Sequence, residues 1–140
     1  MESYELLQHT ADIRLKLQGE DLEGILRAGL AGLFEIISGI SKFSPVKQKW
    51  EKSFSFEIES KDSETLIVDF LNEALFVVET EKMLPVAVGF EELTEDRAKG
   101  KFFLTPDFPA QKHVKAATYH ELEIIKNNQG LLETVITLDI

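Results

Sequence analysis

The sequence predicts an α+β fold: a two-layer sandwich of mostly antiparallel sheet with two long helices. Three observations carry that expectation. Two stretches repeat apolar residues at three- and four-residue steps, as amphipathic helices do. Several other stretches alternate apolar with polar residues, as strands with one buried face do. Those strands are joined mostly by short turns rather than by helices, which favours antiparallel pairing.

The elements follow in chain order. Tyr4 to Leu7 reads as a short strand, and Ile13, Leu15 and Leu17 alternate with polar partners up to Gln18. Gly19 breaks that strand, and the Asp21 carboxylate can cap a helix. Leu22, Ile25, Leu26, Leu30, Leu33 and Ile37 form its apolar stripe, and Ser38-Gly39 ends it near residue 38. Gly29 and Gly32 cost helix propensity, so close packing against the sheet is expected there. Trp50 to Glu59 places Phe54, Phe56 and Ile58 inward. Asp62 or Ser63 starts a second helix, with Leu66, Ile67, Phe70, Leu71, Ala74 and Leu75 on its stripe. Pro85 marks a boundary after its end near 81.

Val86, Val88 and Phe90 suggest a further strand. Thr94 to Gly100 reads as a polar turn, and Lys101 to Thr105 as the returning strand. Val114 to Lys126 contains the alternation His120, Leu122, Ile124, and Leu131 to Leu138 pairs back as the terminal strand. The total is about six or seven strands. Both helices are expected to cover one sheet.

Composition bounds the function. The chain has 140 residues, enough for one domain (1–140) with a real core. At 44% hydrophobic and 29% charged residues it reads as globular rather than disordered. The absence of cysteine excludes disulfides, thiolate zinc sites and cysteine nucleophiles. A cytoplasmic setting is the simplest expectation. Met1 to Glu5 lacks the basic and apolar regions of a signal peptide. No apolar run reaches the roughly 18 residues that a membrane span needs. A net charge of −10 disfavours gripping phosphate backbones and suits a cation or the basic surface of a partner. Much of that charge serves solubility on a plainer reading.

The residues that bear chemistry are few. Asp12 opens one strand-like segment and Asp139 closes another, each out of phase with the apolar residues. Ile140 follows directly, and its carboxylate could join theirs. Hard divalent cations take several such oxygens. The alternative is two exposed aspartates at strand ends. His9 and His120 could ligate metal or move protons, although His120 shares a phase with Leu122 and Ile124 and could be a core-edge histidine. Asp69 and Glu73 share a helix face, which is either a pairing or a solvated surface. Lys115 could hold a phosphate or carboxylate, and His113 reads as surface. The phosphate-cradling, zincin and nucleophile-elbow motifs are missing, so no catalytic residue is assigned.

Four segments carry a resemblance. They are His9-Thr10-Ala11-Asp12-Ile13, Val68-Asp69-Phe70-Leu71-Asn72-Glu73-Ala74-Leu75, Val114-Lys115-Ala116-Ala117-Thr118-Tyr119-His120 and Leu138-Asp139-Ile140. In this order and at this length they resemble the archease family over almost the whole chain. The resemblance implies a small cytosolic, non-enzymatic protein that assists an RtcB-type RNA ligase in tRNA splicing and RNA repair. It implies promotion of ligase guanylylation and turnover, with RNA contacted only indirectly. It also implies a divalent-cation site at Asp12, Asp139 and Ile140, calcium in the family, with magnesium or manganese as alternatives. His9, Lys115, His120 and Glu73 are secondary candidates. Arg14 stands where the family commonly has glycine, Gln8 where an acidic residue often precedes the histidine, and Lys112-His113 abuts Val114 in a shortened loop. Two rival functions are a metal-dependent phosphoester hydrolase, with His9 as base, and a general chaperone or modulator of nucleic-acid-processing proteins.

Overall fold

Asp21 and Asp62 start the two helices in the same way. Each sits in extended backbone, and its carboxylate accepts the amide of the residue three positions on, Gly24 at 2.9 Å and Thr65 at 2.7 Å. The computed structural model describes residues 2–8, 12–41, 49–106, 108–109, 112–118 and 122–140. In chain order they form β1 (Ser3–Gln8), β2 (Asp12–Gly19), α1 (Leu22–Ser38), β3 (Lys52–Glu59) and α2 (Ser63–Glu81). There follow β4 (Leu84–Leu93), β5 (Arg97–Thr105), β6 (Ala116–Thr118), β7 (Ile125–Lys126) and β8 (Leu132–Asp139). The fold is α+β with antiparallel pairing throughout the described residues. No helix among them is long and apolar enough to cross a membrane.

The strands make two sheets where the sequence suggested one. The first runs β1-β2-β8-β6, with β7 also on β8, and the second runs β3-β5-β4. The helices bridge them: α1 packs on β1, β2 and β8 of the first sheet and on β4 of the second. α2 packs on β6 of the first and on all three strands of the second. Period-two alternation tells which face of a strand is buried, not which sheet it joins.

The core is one cluster that takes residues from both helices and both sheets. Under α2 and the second sheet lie Phe56, Phe70, Phe90 and Phe102, with Phe56 stacked on Phe102 at 4.6 Å and Phe70 at 5.4 Å from Phe102. Such pairs add to area burial by about 0.5–1.5 kcal/mol each. The helical glycines do what their cost demands. A Cβ on Gly32 would lie 2.6 Å from Leu15 Cδ2, and one on Gly29 would lie 3.0 Å from Leu71 Cδ2 and 3.4 Å from Leu17 Cδ1. They let the side chains of Leu15, Leu17 and Leu71 reach the α1 backbone.

β5 begins earlier than its sequence suggests. Residues 97–100 belong to the strand, and only 94–96 separate it from β4. Its inward residues there, Ala98 and Gly100, are small, so the alternation is weak to the eye although both are buried. The stretch 114–126 contains two short strands, β6 and β7, and residues 119–121 lie outside the described residues.

Candidate functional site

β2 and β8 pair along their whole length, and the register sets Asp12 directly opposite Asp139. Residues directly opposite in an antiparallel pair project to the same face, with Cβ atoms about 4.5–5.5 Å apart. The next pair, Ile13 and Leu138, is buried at 4% and 0% exposure, which fixes the phase and turns the aspartates to the other face. Two like charges directly opposite destabilise a sheet unless something offsets them.

The two carboxylates differ in surroundings. Asp12 is half-buried and Asp139 is exposed. Asp12 Oδ1 is fully screened from solvent and has no hydrogen-bond partner among the described residues. A screened carboxylate oxygen without a donor is costly, at about 1–3 kcal/mol or more. It is the kind of donor that a hard cation takes.

β6 borders the pair. Ala116 stands opposite Asp139 on the other side of β8, so Asp12, Asp139 and Ala116 form one row across three strands. The Lys115 amide donates to the Asp139 carbonyl at 2.8 Å. Lys115 is exposed, and its main chain borders the row. Ile140 follows the last strand residue, directly after Asp139, and is 39% exposed.

Asn72, quoted above only within a family-like segment, has a role in this arrangement that the sequence did not assign. Asn72, in the middle of α2, donates through Nδ2 to the Ala117 carbonyl at 2.9 Å and accepts from the Ala117 amide at Oδ1 at 2.8 Å. It gives the outer edge of β6 the hydrogen bonds that another strand would give. The available signal was a polar amide beside the stripe residue Leu71, where asparagine is a poor helix former.

The other candidates separate. Glu73 is half-buried on α2 and borders a groove with Asn72, Phe76, Glu57 and Glu59, and neither aspartate of the row lines that groove. Asp69 accepts from Ser60 Oγ at 2.7 Å, which accounts for it structurally. His113 is exposed and lies 3.1 Å from Glu79 through Nε2. His9 and His120 lie outside the described residues. Among the described residues no three histidine, cysteine, aspartate or glutamate side chains come together. The row therefore offers two carboxylates, with main-chain oxygen of Ile140 as the further donor, and that chemistry fits a hard divalent cation rather than zinc.

Residues 4–140 match the model of the Archease protein family. Protein archease of Methanosarcina mazei is 28% identical over 95% of this chain and 93% of its own. The solution structure of Methanobacterium thermoautotrophicum protein 1598 superposes with a TM-score of 0.69 at 25% identity, covering 98% of both chains. The crystal structure of a Thermotoga maritima archease, described as a possible chaperone, superposes with a TM-score of 0.66 at 18% identity, covering 97% of this chain and 96% of that one.

Proposed function

The chain belongs to the archease family, and from that premise we propose that it is a non-enzymatic activator of an RtcB-type RNA ligase in tRNA splicing and RNA repair. It promotes guanylylation and turnover of the ligase, with RNA reaching the complex through the ligase. The observation that supports this reading best is the Asp12–Asp139 row, with an Asp12 oxygen that has no hydrogen-bond partner among the described residues.

Asp12, Asp139 and main-chain oxygen of Ile140 would hold a divalent cation, with calcium the first choice and magnesium or manganese suited to the same donors. When bound, the cation offsets the repulsion of the two carboxylates and brings positive charge to the surface that meets the ligase. The chain's own residues do the rest. Asn72 holds β6, and β6 holds the Asp139 main chain from the far side. Lys115, exposed and joined to Asp139 through its main chain, would offer an ammonium to a phosphate or carboxylate of the partner. His9, His120 and Glu73 are further contacts in the proposal. The charge of −10 suits docking onto a partner that itself binds RNA and carries basic surface.

The test is single-turnover guanylylation of purified ligase with labelled GTP, with and without this protein. Faster labelling of the ligase, with no label on this chain, is the expected result. Label on this chain would make it an enzyme, and an unchanged rate would end the activator reading. Turnover of a phosphodiester by this protein with manganese would favour the hydrolase instead. A chaperone calls for a sizeable exposed apolar patch, and binding of a hydrophobic dye to the native protein checks for one.

A further inference from the structure

The outer face of the second sheet is the other built feature of the surface. Both helices pack on its inner face, where Phe56, Phe102 and Leu104 are buried. The central strand β5 sends Arg97, Lys99, Lys101 and Phe103 outward at alternate positions. Three cations and an aromatic thus line one face of β5 on a chain of net charge −10. Trp50 packs beside Phe103 with ring centroids 4.8 Å apart and planes at 45°, and 54% of Trp50 is exposed.

The neighbours of this row keep it open. Phe103 stands between Ser53 and Ala87, and Lys101 between Ser55 and Gly89, so the flanks are small. Glu51 is exposed beside Trp50, and the other acidic neighbours, Glu57, Glu59 and Glu92, lie at the far end. Glu57 and Glu92 stand either side of Lys99, and both are engaged by Arg97, at 2.9 and 3.6 Å. Lys101 has neither an acidic cross-strand neighbour nor an ion pair among the described residues. An ammonium thus stands two residues, or about 7 Å, along the strand from half-buried Phe103 and the exposed Trp50 packed on it. That is within the span of one nucleotide.

We propose that this face binds single-stranded nucleic acid, one base stacking on Trp50 and Phe103 and the adjoining phosphate meeting Lys101. An open antiparallel sheet with aromatics and cations is the arrangement by which proteins take unpaired bases. Stacking is tolerant of sequence, so little base preference is expected. The overall negative charge makes the affinity modest and strongly salt-dependent. The face is separate from the aspartate row on the other sheet; it would add a direct contact to the RNA that the ligase brings, and the proposal stands or falls independently of ligase activation.

Trp50 is the sole tryptophan, so native fluorescence reports on this site alone. The experiment titrates the protein with an oligouridine of about ten nucleotides at low salt, with the deoxy counterpart, a blunt duplex and inorganic polyphosphate as further arms. Saturable quenching by both single strands, weak with duplex and polyphosphate, is expected. Lys101→Glu, an exposed position, should weaken it about tenfold or more, with circular dichroism unchanged. Phe103→Ala should weaken it similarly, and added salt should reverse it. A preference between the two single strands would identify the sugar that the face reads. Absence of saturable quenching, equal quenching by polyphosphate, or full binding by folded Lys101→Glu would overturn the proposal.

Discussion

Asn72 grips Ala117 with both ends of its side-chain amide, at 2.9 and 2.8 Å. A helix thereby closes the edge of a sheet that carries the candidate site, since the neighbours of Ala117 are Leu138 across the ladder and Ala116 beside Asp139. Asn72→Ala leaves the Ala117 amide and carbonyl without these partners. It should cost about 1–3 kcal/mol of unfolding free energy. Hydrogen exchange at the Ala117 amide should accelerate more than at Ile136 in the same strand pair. Equal protection of both in the variant would mean that the clasp does not hold the edge.

Glycine sets the spacing of α1 from the first sheet. A Cβ on Gly32 meets three atoms of Leu15, which has no exposed surface and little room to yield. Gly32→Ala gains about 1 kcal/mol of helix propensity and loses about 1–3 kcal/mol to overpacking. The expected net result is destabilisation, read as a lower urea midpoint with an unchanged slope. Gly100→Ala should be worse, because its Cβ would collide with the Gly89 carbonyl, and backbone cannot rotate away as a leucine tip can. A Gly100→Ala protein as stable as the native one would show that the two strands separate freely there.

Glu133 predicts a dependence of stability on acid. Its carboxylate accepts from Gln18 Nε2 at 2.7 Å and from Asn127 Nδ2 at 3.2 Å, and these bonds, with Lys16 nearby, hold it below the ordinary glutamate value. The folded state thus binds the proton less readily than the unfolded state does. Its contribution to stability is present above the ordinary value of about 4.3 and is lost as pH falls through the lower folded value. Urea midpoints measured from neutral pH downward should fall in that acid range, and Glu133→Gln should flatten that part of the curve. Parallel curves for the two proteins would remove Glu133 as a cause.

Lys115 and Asp69 separate partner contact from scaffold. Lys115→Ala should lower ligase activation about tenfold or more while leaving cation affinity and folding unchanged. Asp69→Asn should change activation little, because its carboxylate is engaged by Ser60 within the scaffold. Single-turnover guanylylation with each variant checks both, and the reverse ranking would move the contact surface from β6 to α2.

Much of this could be read from the chain, for physical reasons that differ by element. The helix starts were legible because Asp21 and Asp62 cap through their own side chains, a local interaction. Asp12 and Asp139 were singled out by strand phase, and β2 does pair with β8. The division into two sheets was not legible, because pairing between distant segments leaves no local trace. The start of β5 was hidden because Ala98 and Gly100 supply the buried phase without hydrophobic bulk. The Asn72 clasp joins residues 45 apart, and nothing at either end announces the other. The cationic row of β5 stayed hidden for the same reason as the strand that carries it.

The account rests on the aspartate row holding a cation, and calorimetric titration with calcium tests that most directly. The native protein should bind calcium saturably, and Asp12→Asn and Asp139→Asn, both folded by circular dichroism, should each bind it at least about tenfold more weakly, since each removes a charged oxygen donor. Undiminished calcium affinity in folded Asp12→Asn would contradict the account.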